Sequence, residues 1–347
     1  MRDVLIAAFL GAGPVAEAFV LAFSLPNLFR RFFAEGAFNM AFVPMFSKKL
    51  ESGEQPTEFA RDAMSMLGAI LLAFTAVGVV AMPWLVWAMA SGFAADDRFD
   101  LAVVFGRIAF PYILFISIAA LLSGVLNASG RFKAAAAAPV LLNVLFILAL
   151  ALAARMQWDI GLTLSWTVPI AGIAQMALVW VAAHRAGFTL IPRVPKMTPE
   201  LKRLAIIAAP VALAGGVVQI NLLIGRQVAS YFEGANAWLY YADRLYQLPL
   251  GVVGIAVGIV LLPDLSRRLR ANDTAGGQNA FNRALEFSLF LTVPCAAALA
   301  VVPGPVVSVL FERGSFTVED TAATAIATAI YGLGLPAFVL QKVYQPV

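Results

Sequence analysis

The sequence predicts an all-α, polytopic helical membrane protein built as two pseudo-symmetric lobes, and three observations carry that prediction. Hydrophobic residues make up 61% and charged residues 13% of the 347, against roughly 45–50% and about 25% in soluble domains, and mean hydropathy is +0.86. Segments such as LGAILLAFTAVGVVAMPWLV and VLLNVLFILALALAA are apolar all round, whereas a soluble solenoid alternates polar and apolar faces. Finally, Pro44-Met45-Phe46-Ser47-Lys48-Lys49-Leu50 returns as Pro263-Asp264-Leu265-Ser266-Arg267-Arg268-Leu269, 219 positions later. The copies stay in register, because Arg61 stands 22 residues before Pro83 and Arg283 stands 22 before Pro305.

In chain order, windows of about 20 apolar residues or more predict eight complete helices over residues 15–47, 59–90, 101–128, 134–154, 160–184, 203–231, 237–266 and 284–311. Partial ones flank them at 1–11 and about 321–347. The loops between them alternate in charge. Lys48, Lys49 and Arg61 follow the first complete helix, and Asp96, Asp97, Arg98 and Asp100 follow the second. Arg131 and Lys133 follow the third, Arg185, Arg193, Lys196, Lys202 and Arg203 the fifth, and Glu233 the sixth. Arg267, Arg268, Arg270 and Arg283 then face Glu312, Arg313, Glu319 and Asp320 across the last complete helix. By the positive-inside rule the basic set is cytoplasmic, as is the N-terminal side of the first helix. This dispersal in short loops accounts for a pI of 9.3 without nucleic acid.

Both repeats cross the membrane in the same direction, the parallel arrangement of transporters that rock two lobes. Residues 1–190 form the first lobe and 191–347 the second. Six helices per lobe leave the repeat incomplete, so the sequence reads as truncated at both ends, and the fragment alone is expected to be inactive. Cys295 lies in an apolar helix as a small buried hydrophobe. The single His184, with no second ligand at metal spacing, supports no zinc site. Asp96 and Asp97 form a tight acid pair that reads as a solvated outer loop beside Arg98, which is too little for a membrane-embedded enzyme.

The charges inside the helices carry the functional signal, because ionisable groups at bilayer depth are costly. FRRFFAEGAF places Arg30, Arg31 and Glu35 far from both ends of a helix about 50 Å long, between Pro26 and Gly36. Arg31 and Glu35 are spaced to pair, while Arg30, turned about 100° away, is the candidate for an external anion. The alternative is a buried ion network holding helices together. The repeat offset puts Arg2 and Asp3 at the depth of Asn221, inside the membrane. Glu17 sits near an outer helix end, either solvated or gating. Trp238, Tyr240 and Tyr241 read as an interfacial aromatic belt, with Asp243 and Arg244 one turn deeper. Arg107 and Arg226 read as interfacial charges, with an extension of the basic cavity as the alternative.

The runs LPNLFRRFFAEGAFNMAFVP, FPYILFISIAALLSGVLNASGRF, YYADRLYQLPLGVVGIAVG and KVYQPV resemble the MurJ/MviN family of lipid II flippases, and the likeness covers essentially the whole chain. The resemblance implies a transporter, not an enzyme, in the bacterial inner membrane. It implies flipping of undecaprenyl-pyrophosphate-linked peptidoglycan precursor, lipid II, from the cytoplasmic to the periplasmic leaflet by alternating access around a cationic cavity. The family's cavity arginines match at Arg2, Arg30 and Arg244, and its acidic partners at Asp3, Glu35 and Asp243, with Glu17 where an Asp is usual. Arg31 joins these supporting or gating residues. Implied partners are lipid II, membrane lipids and the cell-wall synthesis machinery. No cofactor is implied, and neither a coupling ion nor a role for membrane potential is identifiable from the sequence. A cation-coupled drug or polysaccharide-precursor exporter of the same superfamily is the alternative, and it favours acidic cavities over this basic one.

Overall fold

The computed structural model describes residues 1–30, 37–256 and 273–344, and all regular structure among them is helical. Helices α1 (Arg2–Leu10), α2 (Pro14–Arg30) and α3 (Ala37–Ser52) open the chain. Then come α4 (Pro56–Val80), α5 (Met82–Met89), a short 3₁₀ turn (Ser91–Ala95), α6 (Arg98–Ala109) and α7 (Tyr112–Ala128). The longer α8 (Lys133–Met156), α9 (Ile160–Arg185) and α10 (Pro199–Ala229) follow. The last four are α11 (Ala235–Ala256), α12 (Thr274–Val301), α13 (Pro303–Phe311) and α14 (Val318–Tyr344). Among the described residues, six stretches are long and apolar enough to span a membrane: α4, α6 with α7, α8, α9, most of α12 and most of α14.

Three predicted helices are broken, each at a proline. The 59–90 helix divides at Ala81, two residues before Pro83, and the 284–311 helix at Val302, directly before Pro303. The 101–128 helix begins earlier, at Arg98, and divides at Phe110 and Pro111. A proline lacks the amide proton and crowds the preceding residue, and Val302 before Pro303 leaves helical geometry at φ −125° and ψ 42°, whereas Phe110 before Pro111 keeps it at φ −59° and ψ −36°. Two helix starts are capped by an aspartate side chain. Asp159 accepts from the Leu162 amide at 2.6 Å, and Asp273 from the Gly276 amide at 2.9 Å.

Packing divides the helices into two compact units that cut across the sequence repeat. The larger joins Gly13–Asn236 with Arg2, and the smaller joins Asp3–Ala12 with Ala237–Val347. The first helix of each repeat thus belongs to the other repeat's unit, α10 with α2–α9 and α1 with α11–α14. In the smaller unit, the Ser315 amide donates to the Ala8 carbonyl at 2.8 Å. Gly11 and Gly314 there have φ of 64° and 60°, and a Cβ on Gly314 would lie 2.2 Å from the Ala8 oxygen. Only glycine fits that contact. In the larger unit, the end of α10 docks on the turn after α5 through side chains. The Gly92 amide donates to Ser230 Oγ and the Ser91 amide to Gln227 Oε1, both at 3.0 Å.

Within the larger unit, α7, α8 and α9 are tied by a buried chain of bonds. Tyr112 Oη donates to Gln175 Oε1 at 3.2 Å, and Gln175 Nε2 donates to the Ala138 carbonyl at 2.8 Å. The outer face of α8 exposes Val140, Val144, Leu148 and Leu152, one apolar residue per turn. A stripe like that on a spanning helix faces lipid, not water. The smaller unit has its own core, in which α12 and α14 enclose Ala296, Leu299, Leu335, Val339 and Val343 beneath Tyr246.

Candidate functional site

In the larger unit the predicted cations gather on α2. Arg30 is the last described residue of α2 and is half-buried. Six residues back, or about 9 Å along the axis, Ser24 accepts a hydrogen bond from Arg226 of α10. Sequence reading left Arg226 as an interfacial charge, because nothing in the chain's order tells which helix α10 lies against. Arg2 places its guanidinium carbon 5.6 Å from the Phe146 ring centroid, and the Phe146 ring packs in turn, tilted, against Phe19 and Phe23 of α2. Arg31 and Glu35, the predicted pair, lie outside the described residues. Arg107 is exposed, and its Nε donates to the Val79 carbonyl at 3.3 Å.

Glu17 is fully buried, so it is no solvated acid. One of its oxygens accepts from Arg98 at 2.8 Å and the other from the Asn236 amide at 3.1 Å. Arg98 also grips Asp96 through Nε and a terminal nitrogen, at 2.9 Å and 2.7 Å. Its guanidinium carbon lies 4.5 Å from the Phe93 ring centroid. Those hydrogen bonds hold the Asp96 carboxyl below the usual carboxylate range. The loop charges read as solvated are thus a structural clamp joining α2, the 3₁₀ turn, α6 and the start of α11. The Asp-x-Arg spacing just before α6 was the available signal, since the Asp96 side chain caps the Arg98 amide at 2.9 Å and grips the side chain of the same residue.

Of the three residues read as an aromatic belt, Tyr241 is buried and Trp238 and Tyr240 are half-buried, and each bonds to a neighbouring element of the smaller unit. Tyr241 is fully buried and donates to the Gly11 carbonyl at 2.9 Å. Tyr240 donates to Asp3 at 2.7 Å, and Trp238 to Asp320 at 2.9 Å. Asp243 accepts from Gln247. The Arg244 guanidinium lies over the Tyr240 ring, 4.7 Å from its centroid, and not against Asp243, and its Nε is buried without a hydrogen-bond partner. Seated on an aromatic face, a guanidinium keeps the N–H groups at its edge for an in-plane anion. Among the described residues no group of His, Cys, Asp and Glu is arranged to hold a metal ion.

All of these positions except Arg2 and Asp3 fall within the stretch matched by one sequence family. The family described as lipid II flippase MurJ matches residues 6–347. The chain belongs to the MurJ family. A MurJ relative from Rhizobium meliloti (strain 1021), named probable lipid II flippase MurJ, is 50% identical over 353 residues, covering 100% of this chain and 66% of its own length. One from Rhizobium tropici, with the same name, is 49% identical over 352 residues, covering 99% of this chain and 66% of itself. The chain therefore spans just under two thirds of these relatives. A solved structure titled lipid II flippase MurJ, inward closed conformation, matches with a TM-score of 0.84 at 26% identity, over 99% of this chain and 72% of that one. An inward-facing multidrug resistance MATE family transporter of the MOP superfamily matches with a TM-score of 0.73 at 13% identity, over 99% of this chain and 80% of that one. That second likeness is one of fold alone. As a MurJ-family chain with six apolar spans, this is a multi-pass membrane protein.

Proposed function

We propose that the protein moves lipid II from the cytoplasmic to the periplasmic leaflet of the bacterial inner membrane, as a transporter with no chemical step. The family match over residues 6–347 carries this reading. In it, Arg2, Arg30 and Arg244 bind the diphosphate, whose several anionic oxygens suit always-charged, forked guanidinium donors. Asp3, Arg31, Glu35 and Asp243 support or compete for those arginines as the two lobes alternate. Glu17 serves through Arg98, by fixing the outer end of α2. The basic loops face the cytoplasm in this arrangement, and the product is handed to cell-wall synthesis outside. The reading needs no cofactor, and it leaves the driving force to a coupling ion or the membrane potential. The exporter alternative draws on fold likeness at 13% identity, which carries no substrate.

The test is complementation of bacteria depleted of their own lipid II flippase, with periplasmic exposure of lipid II as the readout. Expressed from its whole gene, the protein is expected to restore growth together with lipid II at the outer leaflet. Expression at normal level in the membrane with neither result would overturn the proposal.

A further inference from the structure

Arg131, Lys133 and Arg185 take no part in the arrangement above, yet they line one cavity. It has a volume of about 800 Å³ and lies in the larger unit between the α7–α8 turn and the last turns of α9. Its deeper wall is apolar, formed by Leu126, Ala174, Leu178 and Val181. All three cations are exposed, and no carboxylate among the described residues forms an ion pair with them. α8 begins at Lys133 with no side chain capping its first amides, which adds positive potential at the same mouth. α8 and α9 are both candidate spans, so the cavity lies where two such helices share an end, beside the bilayer surface in the reading above.

We propose that this cavity binds an anionic glycerophospholipid of the surrounding leaflet, with its phosphate among Arg131, Lys133 and Arg185 and an acyl chain along the apolar wall. Charge complementarity selects the occupant. Three cations without partners beside an apolar wall match a molecule that is anionic at one end and hydrocarbon at the other. Such lipids are abundant at the cytoplasmic surface, where the positive-inside rule puts these loops. A water-soluble phosphate leaves the apolar wall uncovered, and a zwitterionic lipid offers no net charge to the cations. The site is separate from Arg30 and Arg244, so its failure and that of the flippase reading are distinguishable.

The test uses purified full chain in detergent and fluorescent phosphatidylglycerol, with phosphatidylcholine of the same chains as control. Each basic residue is worth about fivefold in affinity toward an anionic lipid. Arg131→Gln, Lys133→Gln and Arg185→Gln together are therefore expected to weaken phosphatidylglycerol binding about a hundredfold, leaving phosphatidylcholine unchanged. Ala177→Trp, at an exposed wall position, is expected to weaken binding with all three charges in place, which decides the matter if the triple variant fails to fold. Glycerol phosphate at equal concentration should not displace the probe. Equal binding of the two phospholipids, or full phosphatidylglycerol binding by a folded triple variant or by Ala177→Trp, would overturn the proposal. Displacement by undecaprenyl diphosphate at equal concentration would overturn it in favour of a polyprenyl-diphosphate site.

Discussion

Arg98 and Arg244 begin alike and end differently. Each lays its guanidinium on an aromatic ring, Arg98 at 4.5 Å from the Phe93 centroid and Arg244 at 4.7 Å from the Tyr240 centroid. Arg98 is then gripped by Glu17 and Asp96. Arg244 rests on the ring with a buried Nε left over. A cation whose fork is filled by two carboxylates holds helices together and has little left for a ligand. One held only by a ring keeps its hydrogen-bonding edge for an anion, and Tyr240 is itself fixed by its bond to Asp3. An arginine's depth in the sequence is therefore a weaker guide to function than the company its side chain keeps.

The largest effects should come from the arginines assigned to the diphosphate. Arg30→Ala and Arg244→Ala are each expected to cut lipid II transport about a hundredfold, the loss of two charge-assisted bonds worth about 3 kcal/mol together, at normal membrane expression. Lysine should restore part of it, because a point ammonium replaces a planar fork. Full transport by either alanine variant would break the comparison from the ligand side.

Arg98→Leu should act on stability instead. It leaves Glu17 buried and uncompensated, a cost of about 3–5 kcal/mol, and thermal unfolding of the purified protein should show a large drop. Combining it with Glu17→Gln should recover much of that loss. A double variant no more stable than the single would show that the clamp is not what holds α2.

Gly314→Ala sharpens the comparison within the smaller unit. It forces a side chain onto a backbone at φ 60°, 2.2 Å from the Ala8 oxygen, at about 1–3 kcal/mol. Asp3 and the Tyr240 seat of Arg244 depend on where α1 docks, so ligand affinity should fall along with thermal stability. Unchanged affinity would separate the seat from the docking of α1.

Asp96→Asn should have the smallest effect, under about 1 kcal/mol, since Asp96 is partly exposed. Its folded-state pKa lies below the unfolded value, so its contribution is present above the ordinary range near pH 4 and is lost as pH falls through the folded value. The gap in thermal midpoint between wild type and Asp96→Asn should be open at pH 7 and close under acid. A gap that persists in acid strong enough to protonate Asp96 in the folded protein would assign the effect to shape and not charge.

The helical class was legible because apolar windows of spanning length depend on composition alone, and the breaks before Pro83 and Pro303 are local chemistry written in the chain. The repeat placed Arg61 and Arg283 in corresponding helices. It did not show that α1 and α10 exchange units, because a repeat records ancestry of sequence and not which faces meet. The clamp of Glu17 by Arg98 joins residues 81 positions apart, and the Ser24 bond to Arg226 joins residues 202 apart. No periodicity reports on either. Tyr240 and Tyr241 looked like a belt because an aromatic near a helix end has the same pattern whether it faces lipid or a neighbouring helix.

The most direct test pairs Arg98→Lys with Arg244→Lys and measures both thermal midpoint and undecaprenyl diphosphate affinity on the purified protein. The account predicts a lowered midpoint with unchanged affinity for Arg98→Lys, and an unchanged midpoint with affinity lowered about tenfold, or 1.4 kcal/mol, for Arg244→Lys. Lost affinity in Arg98→Lys with full affinity in Arg244→Lys would contradict it.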